Sequence, residues 1–439
     1  MLKKKLIVNG LITALLASSI CGTAMLSGCS SGSDASAGSN SPATIESRTN
    51  IIFMVPDGMG LSNVTAARIY KSGPDGEALN FETLPYIGYQ RTHSLNSTVT
   101  DSAAAASAWA SGEKFNNGEI SCLDNDQDGA CDETRLNPET ILELAKKNGM
   151  ATGLVATSDI THATPAVFGA HVHNRKCETE IFKQLLDLAI DVLLGGGVAT
   201  NRSTCLLAAT EDADNNALIL EARNDGYTVV TTKEELSASG DATKLLGLFN
   251  DGGLTPIYTR SANSSEPTLK EMTQAALDVL EEDTDGFFLM VEGSQIDWAN
   301  HDRNVMYQIK ETLDFDDAVK VVRDWINADD ARKENTLLIV VADHETGGFI
   351  IDGPYGAISQ PGDTANQLID KEGNPIVDND GNPVMAPDLD PVFGSNPNNP
   401  IQSANHTAVD TIIWSNSPEC ARAMDNTDLF YIMKAFLEE

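Results

Sequence analysis

Positive charge is what this 439-residue chain has least of. Its 29 Lys and Arg stand against 64 Asp and Glu, a formal net charge of −35 at pH 7. Phosphate-backbone binding needs Lys and Arg, so the balance excludes a nucleic-acid partner. An anionic substrate must instead meet a local positive site, supplied by metal ions or a few arginines. Cysteine is also sparse, seven in all, and two of these (Cys21 and Cys29) fall in the N-terminal apolar stretch. The 41 % hydrophobic content, by contrast, supports a real core, and the length suits one large α/β domain or two ordinary ones.

The N-terminus, "MLKKKLIVNGLITALLASSICGTAMLSGCSSG", has three lysines, an apolar run and then small residues, the pattern of a secretory signal. "LSGC" resembles a bacterial lipobox. It implies a lipoprotein signal peptide over residues 1–28, lipid attached to Cys29 as the membrane link, and an exported protein anchored to the bacterial envelope, at the outer membrane or in the periplasm. Residues 29–48 are rich in Ser, Gly and Ala and read as a flexible tether. In an exported chain, nearby cysteines read as bridges rather than redox or zinc sites. Cys122–Cys131 and Cys177–Cys205 are the expected pairs, with Cys420 left as a buried, inert thiol.

From Asn50, short apolar runs alternate with amphipathic segments. "IIFMV", "ATGLVAT", "DVLLGGG", "YTVV", "GFFLMVEG" and "TLLIVVAD" read as buried strands, and 138–148, 178–190, 268–282 and 303–327 carry helical spacing. The alternation predicts an α/β fold, a mostly parallel central sheet with helices on both faces and loop or hairpin insertions. Two regions break it. Residues 353–400, with the near-repeat "KEGNPIV" and "NDGNPVM", read as a hairpin insertion. "CLDNDQDGACDE" places Asp124, Asp126 and Asp128 as a calcium loop would, but Arg135 stands where the twelfth-position Glu belongs. A structural calcium and a solvated acidic turn are both open there.

Ligands in open α/β sheets collect beyond the carboxyl ends of the strands. Reading those ends in order gives Asp57 in "VPDGMG", Glu292, Asp297 and His301 in "VEGSQIDWANH", and Asp343 and His344 in "VVADHETGG"; His406 follows in "ANHTAVD". Carboxylates and neutral imidazoles are the usual mixed ligands of zinc. Asp297 and His301, four apart, share one face if a helix starts there. Asp343 and His344 are adjacent and converge only if the strand stops, for which "ETGG" supplies the turn. The stretch "TVTDSAAAASAWASG" puts Ser102 behind Asp101 at the amino end of a small-residue helix. His93, His171 and His173 stand at no strand end and read as structural or surface residues.

Taken in order, "VPDGMG", "TDSAAAASAWASG", "ATSDITHATPAVFGAHVHNRKC", "VEGSQIDWANH", "ADHETGG" and "NHT" resemble the successive motifs of the bacterial and animal alkaline phosphatase family. The resemblance implies an alkaline phosphatase-like catalytic domain over 49–439. Its activity would be hydrolysis of small phosphate monoesters through a phosphoserine on Ser102. It also implies two zinc ions and one magnesium ion per subunit. Asp297, His301 and His406 would hold one zinc, and Asp57, Asp343 and His344 the second. Asp57, Thr164 and Glu292 would hold magnesium, and Arg175 would clamp the phosphate. His162 and Trp298 stand where the best-known enterobacterial members carry Asp and Lys, a variant that implies weaker phosphate retention. A homodimer is the family habit.

Overall fold

Buried strands covered on both faces are continuous apolar runs, and the run from Thr49 to Pro56 shows why this chain builds its sheet around one of them. After Thr49 every residue of that strand is buried. Ile51, Phe53 and Val55 enter one core and Ile52 and Met54 the other, as the two-residue period of a strand requires. The computed structural model describes residues 48–124, 131, 138–197, 215–351 and 404–438. The leader and most of the tether, Asp126, Asp128, Cys205 and the 353–400 insertion lie outside the described residues.

The strands are β1 Thr49–Pro56, β2 Tyr86–Arg91, β3 Ala151–Asp159, β4 Val192–Gly196, β5 Thr228–Val230, β6 Leu245–Leu248, β7 Gly286–Gly293, β8 Thr336–Val341, β9 Glu345–Thr346, β10 His406–Thr407, β11 Thr411–Ser415 and β12 Ala423–Asp425. Ten of them form one sheet in the order β12-β2-β11-β8-β1-β7-β3-β4-β6-β5, while β10 and β9 make a separate antiparallel ribbon. Only β11 runs against its neighbours in the large sheet. β1 pairs with β7 from Thr49↔Gly286 to Pro56↔Gly293. Gly286 is required at that start: its φ is +95°, and a Cβ would lie 2.0 Å from the Thr49 carbonyl oxygen.

The expected α/β architecture is present. Helices Leu61–Ser72, Leu269–Leu280 and Val305–Asn327 supply buried residues to the core containing Ile52 and Met54. Helices Ser102–Ser111, Ile141–Lys147, Glu178–Asp187 and Asp428–Leu437 cover the opposite face. Their amphipathic stripes make that possible. In Leu269–Leu280, for example, Leu269, Met272, Thr273, Ala276, Leu277 and Leu280 face inward at helical spacing. Cys122 and Cys131 form the expected disulfide, and Cys420 is a free, buried thiol. Cys177 is disulfide-bonded, although Cys205, named above for it, is outside the described residues. Among the described residues, no helix is long and apolar enough to cross a membrane.

Candidate metal and phosphoryl-transfer site

The helix Ser102–Ser111 is the first component. Asp101 caps it by accepting a hydrogen bond from the Ala104 amide at 3.0 Å, a standard way to satisfy a first-turn donor. All ten helical residues are buried, and Gly112 closes the helix in the left-handed conformation. The run of alanines lets the helix sit close against the Ala163–Ala166 turn and the core around Phe53 and Trp109. Its amino end therefore carries Ser102, 2 % exposed, into the interior, where helix-terminal amides favour negative charge.

The remaining groups arrive from strand ends. Asp57 follows β1, Glu292 ends β7, and Asp343 and His344 follow β8. The strand does stop: Gly347 and Gly348 both adopt positive φ, and the turn lets the adjacent Asp343 and His344 converge. Gly58 donates its amide to Asp343 Oδ1 at 3.0 Å. The helix Gln295–His301 forms as its spacing predicts and brings His301 Nε2 to 3.3 Å from Asp297 Oδ2. The β9–β10 ribbon delivers His406, whose Nε2 lies 3.6 Å from Asp297 Oδ1 and 3.1 Å from His301 Nε2.

The histidines show what the cluster lacks. His301 Nδ1 faces the Ala404 carbonyl at 2.7 Å, and His406 Nδ1 faces the Thr100 carbonyl at 2.9 Å. A carbonyl can only accept, so each Nδ1 carries a proton, and with both rings neutral each Nε2 would turn a lone pair toward the other. Two lone pairs at that distance need a cation between them. With protons alone to supply it, burial works against charge on His301, but Asp297 overrides this and lifts it to about 9. Burial and the neighbouring His344 hold His406 down to about 4.

The second cluster repeats the pattern. His344 Nε2 lies 3.0 Å from Asp343 Oδ2 and 3.8 Å from Asp57 Oδ1. Ser102 Oγ lies 3.2 Å from the same nitrogen. Burial, then repulsion from Asp343, Asp297 and Glu292, pushes Asp57 well above the usual carboxylate range. Burial raises Glu292 to about 7, held back by the Ser294 hydroxyl. Against the cost of burial, His344 keeps Asp343 down at about 2. Both Asp57 oxygens, Glu292 Oε1 and Thr164 Oγ1 are buried without a hydrogen-bond partner. Buried polar atoms are almost always satisfied, and orphaned oxygens converging on one place are what a divalent cation would neutralise.

Three groups of ligand atoms lie within 4.8 Å of one another: Asp297 with His344 and His406, Asp57 with Asp343 and His344, and Asp57 with His162 and Glu292. The first two mix carboxylate and imidazole, as zinc sites do. Asp57, Glu292 and Thr164 offer oxygens, which a hard cation prefers.

Arg175 stands at the rim. It donates Nη1–H to Asp101 Oδ2 at 3.0 Å and Nη2–H to His162 Nε2 at 3.1 Å. The cap of the Ser102 helix and the arginine are thus held by one carboxylate. Burial and Arg175 depress His162 to about 3, so its ring is neutral. Trp298 meets His162 edge-on at 6.0 Å between ring centroids, and the close approach of its ring to Gly253 leaves no room there for a Cβ. Every site residue expected from the sequence is therefore in one place. Four supports were not expected: the Thr346 hydroxyl, which donates to Asp297 Oδ1, the Ser294 hydroxyl on Glu292, and the carbonyls of Thr100 and Ala404. Backbone carbonyls have no sequence signature, and Thr346 reads in sequence only as part of a turn.

An alkaline phosphatase family model matches residues 48–439. Alkaline phosphatase 3 of Bacillus subtilis is 40 % identical over 324 residues, 71 % of this chain and 64 % of that protein. Alkaline phosphatase of Escherichia coli is 34 % identical over 440 residues, 88 % of this chain and 86 % of that protein. The match thus spans less than two thirds of the Bacillus subtilis relative and most of the Escherichia coli one. Among solved structures, alkaline phosphatase from the Antarctic bacterium TAB5 superposes with a TM-score of 0.67 at 28 % identity, covering 89 % of this chain and 98 % of that one. The Thermus thermophilus alkaline phosphatase gives 0.70 at 26 % identity, covering 90 % and 92 %.

Proposed function

The chain belongs to the alkaline phosphatase family, and from that premise we propose that it hydrolyses phosphate monoesters to an alcohol and inorganic phosphate. The reaction passes through a phosphoserine on Ser102. The observation that carries this reading is the Ser102 hydroxyl, buried at a helix amino end and 3.2 Å from the Nε2 of His344. No positive side chain other than Arg175 is needed if cations fill the clusters described above.

The donor sets fit two zinc ions, one with Asp297, His301 and His406 and one with Asp57, Asp343 and His344. The oxygen set of Asp57, Thr164 and Glu292 fits magnesium. A variant of the TAB5 enzyme in which Asp replaces a histidine holds magnesium in its M3 site; this chain has His162 beside Asp57 and Glu292. When bound, such ions stabilise the entering and leaving oxygens of an in-line displacement and activate a serine hydroxyl. Ser102 Oγ forms the bond to phosphorus as the bond to the alcohol oxygen breaks. Water then cleaves the phosphoserine and frees phosphate. The guanidinium of Arg175 pairs with two non-bridging oxygens; a monoester leaves a third for the cation clusters, and in a diester that third position is esterified. Asp101 and His162 hold that guanidinium in place.

The test uses the soluble form beginning after Cys29, supplied with zinc and magnesium, on an aryl phosphate monoester and its diester at alkaline pH. Monoester turnover should fall at least about a thousandfold in Ser102→Ala and should vanish on chelation. Diester preference, or turnover that Ser102→Ala leaves intact, overturns the reading. We also propose the finer arrangement implied by the sequence: export, cleavage after residue 28, a lipid on Cys29, a tether to residue 48 and a homodimer. Fatty-acid labelling lost in Cys29→Ala tests the anchor, and sedimentation of the soluble form tests the dimer.

A further inference from the structure

Thr346 follows His344 by two residues, is fully buried, and pairs with His406 across the β9–β10 ribbon. Its hydroxyl donates to Asp297 Oδ1 and lies 3.1 Å from His344 Nδ1. A threonine hydroxyl has one hydrogen, and the carboxylate can only accept it. The direction of the second bond follows: His344 Nδ1–H donates to the hydroxyl oxygen. His344 is therefore held with a proton on Nδ1, which leaves Nε2, turned toward Asp343 and Asp57, as the nitrogen that can bind an ion.

His301 and His406 owe the same tautomer to backbone carbonyls, which are fixed. The support of His344 is a rotor, and Asp297 is what orients it. The main chain of Thr346 is anchored separately, its amide donating to the Gly58 carbonyl at 3.0 Å. Removing the hydroxyl thus leaves the turn in place and removes only the link.

We propose that Thr346 is a positioning residue that couples the two zinc positions. The inference rests on the two-zinc reading above, in which Asp297 serves one ion and His344 the other. An ion held by Asp297 fixes that carboxylate, the carboxylate fixes the hydroxyl, and the hydroxyl accepts the Nδ1–H that holds the His344 ring with Nε2 toward the second position. Coupling of binding free energies is reciprocal, so an ion at either position favours the other equally.

The experiment is a calorimetric zinc titration of the chelator-stripped soluble enzyme in four forms: wild type, His301→Ala, Thr346→Val, and Thr346→Val with His301→Ala. His301 lies against Asp297 and His406, so its loss weakens the first position directly; an effect that reaches His344 through the stacked His406 ring instead would persist in Thr346→Val. In the Thr346 background, His301→Ala should weaken zinc at the second position about tenfold, within the usual range of coupling. In the Thr346→Val background the same change should leave that position within about twofold, the limit of additivity. Thr346→Ser should restore the coupling. Nitrogen shifts of the His344 ring should show Nδ1 protonated in wild type and Thr346→Ser and a tautomer mixture in Thr346→Val. A tenfold effect of His301→Ala that persists in Thr346→Val, or an unchanged His344 tautomer, overturns the inference. A wild-type enzyme that takes up no zinc overturns the two-zinc reading instead.

Discussion

His344 and His171 are both packed against carboxylates, yet they do opposite things. At His171, Nδ1 lies 2.6 Å from the Ser121 carbonyl and Nε2 lies 3.1 Å from Glu143 Oε1. Both partners only accept, so both nitrogens donate and the ring is a cation that clips the Ser121 turn to the first turn of the Ile141–Lys147 helix. Although burial opposes it, Glu143 and the Ser121 carbonyl raise its pKa. At His344, Nδ1 meets the Thr346 hydroxyl, and Nε2 faces Asp343 Oδ2, Ser102 Oγ and Asp57 Oδ1 at 3.0, 3.2 and 3.8 Å. What separates the candidate ligand from the clip is what surrounds Nε2: a single carboxylate at His171, and two carboxylates and a serine hydroxyl converging on one point at His344.

The sharpest way to break that contrast is to remove each ring. His344→Ala should lower zinc affinity and monoester turnover by more than the roughly 10–100-fold that loss of outer support alone costs a metal site. His171→Ala should leave zinc stoichiometry and turnover at 25 °C within about twofold, since residues this far apart act additively. A metal titration with steady-state rates checks both, and similar losses in the two variants would dissolve the distinction.

A second prediction asks whether the site is short of the fixed charge that His171 has at its own position. Trp298→Lys adds an ammonium beside His162 and should lower the inhibition constant for phosphate about tenfold, the range of one charge-assisted hydrogen bond. An unchanged constant removes that idea.

The smallest expected effect is a pH dependence. His171 has a folded-state pKa above its ordinary 6.5, so its contribution is complete below 6.5 and is lost as pH rises through the folded value. His171→Gln should therefore unfold more easily than wild type at pH 6, by about 1 kcal/mol. The gap in denaturant midpoint should narrow toward pH 10. A gap that widens with pH would mean the ring is neutral in the folded protein.

The same contrast marks how far the sequence could be read. His344 was legible because it follows an apolar strand directly, and strand ends are where α/β sheets place their chemistry. His171 follows no strand, and its non-ligand role was legible for that reason alone; Glu143 and Ser121, its partners, were not. The six strands read from the sequence correspond to β1, β3, β4, β5, β7 and β8; all but the three-residue β5 are continuous buried runs. β2 alternates buried and exposed residues in "YIGYQR", β6 is a four-residue apolar run interrupted by Gly247, and β11 and β12 gain their place from neighbours distant in sequence. Thr346 escaped because a hydroxyl in a Gly-rich turn has a sufficient local explanation, and its second partner, Asp297, lies 49 residues away.

The position of β11 bears on how the molecule is made. Among the described residues β2 pairs only with β11 and β12, so a strand synthesised near the start of the domain waits for residues 411–425 before those partners exist. Ile87 and Tyr89, still more than two fifths exposed in the finished fold, stand open on both edges until then. The same late segment carries His406. A nascent chain therefore cannot complete its metal-binding cluster before it has nearly completed its sheet. Synthesis of the sheet and completion of the cluster are thereby ordered in time, and a prematurely terminated product has neither a closed edge nor the full cluster.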